Sequence, residues 1–187
     1  EIGSGALYDF CKENKKLLQA DIILVSDTSM IAADVPSITV GLRGLGYIEV
    51  KVTAAKCDLH SGIYGGSVAN PINVLCQMIS KLTDENNHVT VPDFYKEVIE
   101  LSDDERKLMA KAPFSEKAYL EETGAKELYG EKGYTTIERT GIRPSLDVCG
   151  IWGGYTAEGA KTIIPATASA KISFRLVPDQ DYTVIIE

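Results

Sequence analysis

The chain has little of what most catalytic signatures need. Only two histidines occur in 187 residues, His60 and His88. No GxSxG elbow, GxGxxG turn or P-loop is present, because "IGSGA" and "YGGSV" both break the elbow pattern. Serine-nucleophile and dinucleotide readings therefore lack their usual motifs. No apolar run reaches the 18 residues that a membrane span requires, and no signal-peptide pattern is seen. Basic residues are outnumbered 19 to 27, for a net charge of −8, which argues against nucleic acid or an anionic membrane as the main partner. The four cysteines, Cys11, Cys57, Cys76 and Cys149, form no CxxC pair. Their mostly apolar surroundings read as reduced, mainly buried thiols, and so as a cytoplasmic protein.

What is there reads as a globular chain, 44% hydrophobic. "GALYDFCKENKKLLQ" carries Leu7, Phe10, Cys11 and Leu18 at helical spacing, with Ser4 placed to cap it. "DIILVSD" follows, and the run Ile22 to Val25 predicts a strand buried on both faces. Helix then buried strand is α/β grammar. From Arg43 the pattern changes. Ile48, Val50, Val52 and Ala54 alternate with Tyr47, Glu49, Lys51 and Thr53, as in a strand with one wet face. A domain boundary is expected after residue 42.

Beyond it, Asn70–Pro71 reads as N-cap and first helical residue, opening a stripe through Ile72, Leu75, Cys76, Ile79 and Leu82. Residues 84–140 are polar and acidic and read as a helical surface insertion. One short helix starts from the capping box "SDDE" and is stopped by Pro113, and a second starts after Ser115. "SLDVCGIW" and "ATASAKISFRLV" are strands, the second alternating Ala168, Ala170, Ile172, Phe174 and Leu176 with Ser169, Lys171, Ser173 and Arg175. "PDQDYTVIIE" opens a last helix. The order βα(insertion)ββα is an α+β arrangement, one strand short of a ferredoxin-like antiparallel sheet with helices on one face. A short α/β remnant precedes it. The ends, "EIGSGAL" and "DYTVIIE", look like cuts through folded structure.

Few residues stand out as chemical candidates. "KCDLHSGIYGGSVANP" puts His60 beside Gly62, Gly65 and Gly66, which would let the backbone approach a ligand or another chain closely. His60 and Ser61 are adjacent and make no nucleophile–base dyad. His88, in "DENNHVT", reads as a solvated turn residue. Asp27 ends the apolar run, where an α/β sheet binds ligands, and it reads either as a metal carboxylate or as the cap of the turn "SDT". Glu1 alone says nothing. Thr162 lies in the loop before the last strand, and Arg175 on that strand's polar face.

Taken together, "DIILVSD", "ITVGLRGLGYIEV", "DLHSGIYGGSVANP", "PSLDVCGI" and "GAKTIIPATASAKISFRLVP" appear in the order seen in M20 metallopeptidases. The chain most resembles their cytosolic dipeptidase and carnosinase-like branch, over nearly its whole length outside the insertion. That resemblance implies a catalytic domain with two divalent metal ions, zinc or manganese, and a smaller lid that forms a homodimer. Residues 1–42 then match the end of the first catalytic segment. Residues 43–187 match the lid, with its insertion and without its final strand.

By the same resemblance Asp27 and Glu1 are metal ligands, while the general-base glutamate, the HxD motif and a downstream histidine ligand have no counterpart in the chain. His60 matches a lid histidine that reaches the partner subunit's site and stabilises the oxyanion. Thr162 and Arg175 match substrate contacts, Arg175 facing the carboxylate of a short peptide. The implied protein is a peptidase of peptides with a free C-terminal carboxylate, and this chain alone is expected to be inactive. Two other readings stay open: a non-catalytic α+β dimerisation module, and an amidohydrolase of the same fold acting on N-acyl amino acids.

Overall fold

The computed structural model describes residues 4–24, 27, 30–31 and 34–186. In chain order the elements are α1 (Leu7–Glu13), β1 (Gly44–Thr53), β2 (Leu59–His60), α2 (Ser61–Tyr64), α3 (Pro71–Ile79), α4 (Asp103–Met109), α5 (Glu116–Thr123), α6 (Thr136–Gly141), β3 (Ser145–Gly153), β4 (Ile163–Ile164), β5 (Thr167–Leu176) and α7 (Tyr182–Ile186). The chain divides into two compact units, Glu1–Val40 and Gly41–Glu187.

The first unit differs from expectation. Ile22, Ile23 and Leu24 carry no strand and are 81–86% exposed. A parallel strand exists through hydrogen bonds to flanking strands, and no described strand flanks this run. α1 forms where predicted, but its N-cap is Ala6, without a side-chain cap, and Ser4 contributes only a backbone carbonyl to Leu7.

The second unit is built on an antiparallel sheet in the order β1–β5–β3. β5 sits in the middle, paired with β1 over its whole length, from Thr53↔Thr167 to Gly44↔Leu176, and with β3 from Gly153↔Ala168 to Ser145↔Arg175. Its alternation is the core: Ala168, Ala170, Ile172, Phe174 and Leu176 are all buried. The two alanines leave room for α3, whose Leu75 is buried against them with Ile72 and Ile79 alongside. Asn70 Oδ1 accepts from Ile72 N at 3.0 Å and Pro71 takes the first helical position, as expected. At the other end, Phe174 lies so close to β1 that a Cβ added at Gly46 would sit 1.8 Å from its ring.

All four cysteines are free, as expected, but exposed rather than buried. Cys76 faces outward one residue from buried Leu75, and Cys149 sits at a bulge in β3, its thiol 3.4 Å from the Lys171 carbonyl oxygen. Among the described residues no helix is long and apolar enough to cross a membrane.

The insertion is more than surface. Val89 and Phe94 join the core around Ile172, Phe174 and Leu176. The capping box at Ser102 and Glu105 forms, as does the helix capped by Ser115, although α4 stops at Met109, before Pro113. A second capping box, Thr135 with Glu138, opens α6. His88 is not a free turn residue, since its ring stacks on Tyr95 at 3.9 Å and its Nδ1 lies 2.9 Å from Glu131. Buried Arg143 donates two bonds of 2.8 Å to Glu131 and one of 2.5 Å to Glu100, with its guanidinium over the Tyr134 ring. Burial alone would raise Glu131, but the bonds from Arg143 and His88 hold it below the ordinary range.

Glu138 is buried and accepts from Arg106 Nε at 2.6 Å. That bond, with those from Thr135, holds its carboxyl down from 4.5 to about 2. A carboxyl lowered in the folded state adds stability that is present above 4.5 and lost as pH falls toward 2. Thermal melts of wild type should therefore lose stability over that window. Glu138→Gln should flatten the pH dependence there, and an unchanged slope in the variant would remove Glu138 from the account.

Candidate functional site

The β2–β4 ribbon puts two predicted residues together. β1 ends at Thr53, and the ladder runs on through Ala54 N to Ala166 O at 2.9 Å. Asp58 Oδ1 then accepts from Ala166 N at 2.9 Å, which turns the chain so that Leu59 pairs with Ile164 and His60 with Ile163. Ser61 N donates to Thr162 O at 3.0 Å. Residues 102 positions apart thereby meet: His60 Nε2 lies 3.2 Å from Thr162 Oγ1. His60 also caps α2, its Nδ1 accepting from Gly62 N at 3.0 Å. Both side chains are exposed. The pair thus presents a ring N–H and a hydroxyl to whatever approaches, a donor set suited to an oxygen that gains negative charge.

Arg175 is not part of this pair. It is exposed on the sheet face opposite the helices, at the end of β5 away from the ribbon, across from Leu45 and Ser145. Thr167 to Arg175 is eight strand positions, about 26 Å of extended chain.

Arg43 shares the Arg175 end of the sheet. Its Nη1 donates to the carbonyls of Arg139 and Arg143 at 3.3 and 3.2 Å, tying the residue before β1 to α6 and to the turn that follows it. Burial pushes its guanidinium down, the like charge of Arg175 adds to this, and Asp147 opposes it. A cleft of about 370 Å³ lies here, lined by Arg43, Arg139, Glu131 and Asp147 among others. Sequence reasoning did not single out Arg43. Its one signal was its position in "GLRG", at the start of the alternating strand.

Asp27 is exposed in the first unit, and Glu1 lies outside the described residues. Among the described residues no group of three or more His, Cys, Asp or Glu could hold a metal ion.

Comparison with known proteins gives a consistent family. The chain is 35% identical over 97% of its length to the Cys-Gly metallodipeptidase DUG1 of Saccharomyces cerevisiae, and 30% identical over 99% to the Beta-Ala-His dipeptidase of Homo sapiens. It spans 38% and 37% of those two proteins. Among solved structures it superposes on the yeast dipeptidase Dug1p with a TM-score of 0.84, at 32% identity, covering 99% of this chain and 39% of that one. An M20 family metallo-carboxypeptidase from Sulfolobus solfataricus gives a TM-score of 0.82, at 34% identity, covering 96% and 47%. The family model for the M20 peptidase dimerisation domain matches residues 40–187. Matched over that span, the chain belongs to the M20 peptidase family and carries its dimerisation domain.

Proposed function

We propose that the complete protein is a metal-dependent dipeptidase acting on short peptides with a free C-terminal carboxylate. This chain supplies its dimerising lid. The observation that carries the reading is the 3.2 Å approach of His60 Nε2 to Thr162 Oγ1. When the scissile carbonyl is attacked, charge grows on its oxygen, and His60 Nε2–H moves from the Thr162 oxygen to that oxygen. A donor held in place for this is worth about 100- to 1,000-fold in rate. Divalent metals, zinc or manganese, would supply an activated water in such an enzyme. Asp27 and Glu1 are the donors this chain would offer toward them, and the chain spans 38% of the DUG1 dipeptidase.

The geometry also favours a homodimer in which sites are shared. A dipeptide spans only about 7 Å, so the His60–Thr162 pair and Arg175 of one chain do not reach the same molecule. If both touch substrate, they serve two sites, with His60 and Thr162 crossing to the partner subunit. The four free thiols suit a cytoplasmic setting.

The direct test is turnover of a dipeptide by the complete protein with added zinc or manganese. Metal uptake without turnover, or neither, would favour the non-catalytic module. Preferential cleavage of N-acyl amino acids would favour the amidohydrolase.

Arg175 carries a further expectation. A guanidinium pairs with a carboxylate through two parallel bonds, which lysine does not reproduce. Such charge-assisted bonds contribute about 1.5–3 kcal/mol each. Arg175→Lys in the complete protein should then lower kcat/KM by about tenfold or more. Wild type should prefer a dipeptide to its C-terminal amide, and the variant should lose most of that preference. An undiminished preference places the carboxylate elsewhere.

A further inference from the structure

We infer that Gly62 is a positioning residue that fixes His60 as its Nε2–H tautomer. The inference deepens the proposed lid function and rests on it for its kinetic consequence, though not for its structural content. The Gly62 amide nitrogen lies 3.0 Å from His60 Nδ1. A backbone amide can only donate, so Nδ1 must present its lone pair. The neutral ring then carries its proton on Nε2, the atom 3.2 Å from Thr162 Oγ1. The other tautomer would turn a lone pair toward the developing negative charge, which is repulsive. The amide thus decides which end of the ring is the donor, as the partner on the second nitrogen does for histidines generally.

A side chain at position 62 would act differently from one at position 66. Gly66 has φ +81°, and nothing lies within 4 Å of where its Cβ would be, so backbone conformation explains it. Gly62 has no such φ. A Cβ there would lie 2.8 Å from His60 Cε1 and 3.1 Å from Nδ1. Any side chain at 62 pushes against the ring that its own amide holds. The far side of the assembly is fixed by Asp58 to Ala166 and by Ser61 to Thr162 O, so the ring has to move relative to Thr162.

The chain's two histidines make the test clean. His88 Nδ1 faces the Glu131 carboxylate, an acceptor, so its proton sits on Nδ1. Ring-¹⁵N-labelled wild-type chain, on the alkaline plateau where neither ring signal moves further with pH, should show one histidine of each tautomer. His60→Gln should remove the Nε2–H one. Gly62→Ala should leave His88 unchanged and turn the His60 signal into a mixture. In the complete protein, Gly62→Ala should lower kcat about tenfold or more with KM within about twofold. An Nδ1–H tautomer for His60 in wild type, or an unaltered His60 tautomer in Gly62→Ala, overturns the inference. If the tautomers are as stated but His60→Ala leaves turnover intact, the tautomer lock stands and the oxyanion role falls.

Discussion

Asp27→Ala in the complete protein should lose bound metal and, with it, activity. Removing even an outer-shell partner of a metal ligand costs about 10–100-fold in metal affinity. Removing a ligand itself should cost more, and a methyl group offers no donor in its place. Metal analysis after exhaustive dialysis should find less than the wild-type content, and dipeptide turnover at modest metal concentration should fall by more than about 100-fold. Excess metal should recover part of the activity if the remaining donors still bind weakly. Asp27 is exposed and belongs to the first unit, while the sheet and its core belong to the second, so the melting of the second unit should be unaffected. Full metal content and near-normal turnover in the variant would return Asp27 to the plain role of a turn cap.

How much of this was legible depended on whether the cause was local. β5 was readable because one face of a central strand must be apolar at every second residue, and the alanines and larger residues from Ala168 to Leu176 obey that. Asn70–Pro71 and Ser102–Glu105 were readable because a cap is satisfied within three residues. The Thr135–Glu138 box has the same signature and went unread, since it opens a helix with almost no apolar stripe. Ile22–Leu24 misled because an apolar run states a preference for burial, while a strand needs a partner to pair with. Arg143 gave no signal at all. Its partners Glu100 and Glu131 lie 43 and 12 residues away, and only the folded insertion brings them together. The candidate site divides in the same way. His60 stood out by its glycines, and its pairing with Thr162 depends on a ribbon of two residues per strand, too short to carry a periodic pattern. Arg43 is tied through carbonyls, which have no sequence identity to read.

Mixing two inactive variants of the complete protein, His60→Ala and Asp27→Ala, should restore activity. On the proposed role, in which His60 donates to the oxyanion and binds no metal, His60→Ala alone should lose about 100- to 1,000-fold in kcat while keeping its metal. In a two-fold dimer whose lid histidine crosses over, each site takes Asp27 from one subunit and His60 from the other. A mixed dimer then holds one site with both residues intact and one with neither. Random exchange makes half the dimers mixed, each with one intact site of two, so recovery should approach about a quarter of wild type. If His60 instead serves the site of its own chain, every site in every dimer carries one lesion, and mixing restores nothing. The length of β5 gives a second variant to set beside the first. Arg175 stands at the far end of the strand from Thr162, so on the shared-site proposal a dipeptide that meets His60 of one subunit meets Arg175 of the other. A strongly impaired Arg175→Ala should therefore be complemented by His60→Ala. Exchange verified by mass, with no recovery in the first pair, would confine His60 to its own subunit and overturn the shared-site dimer.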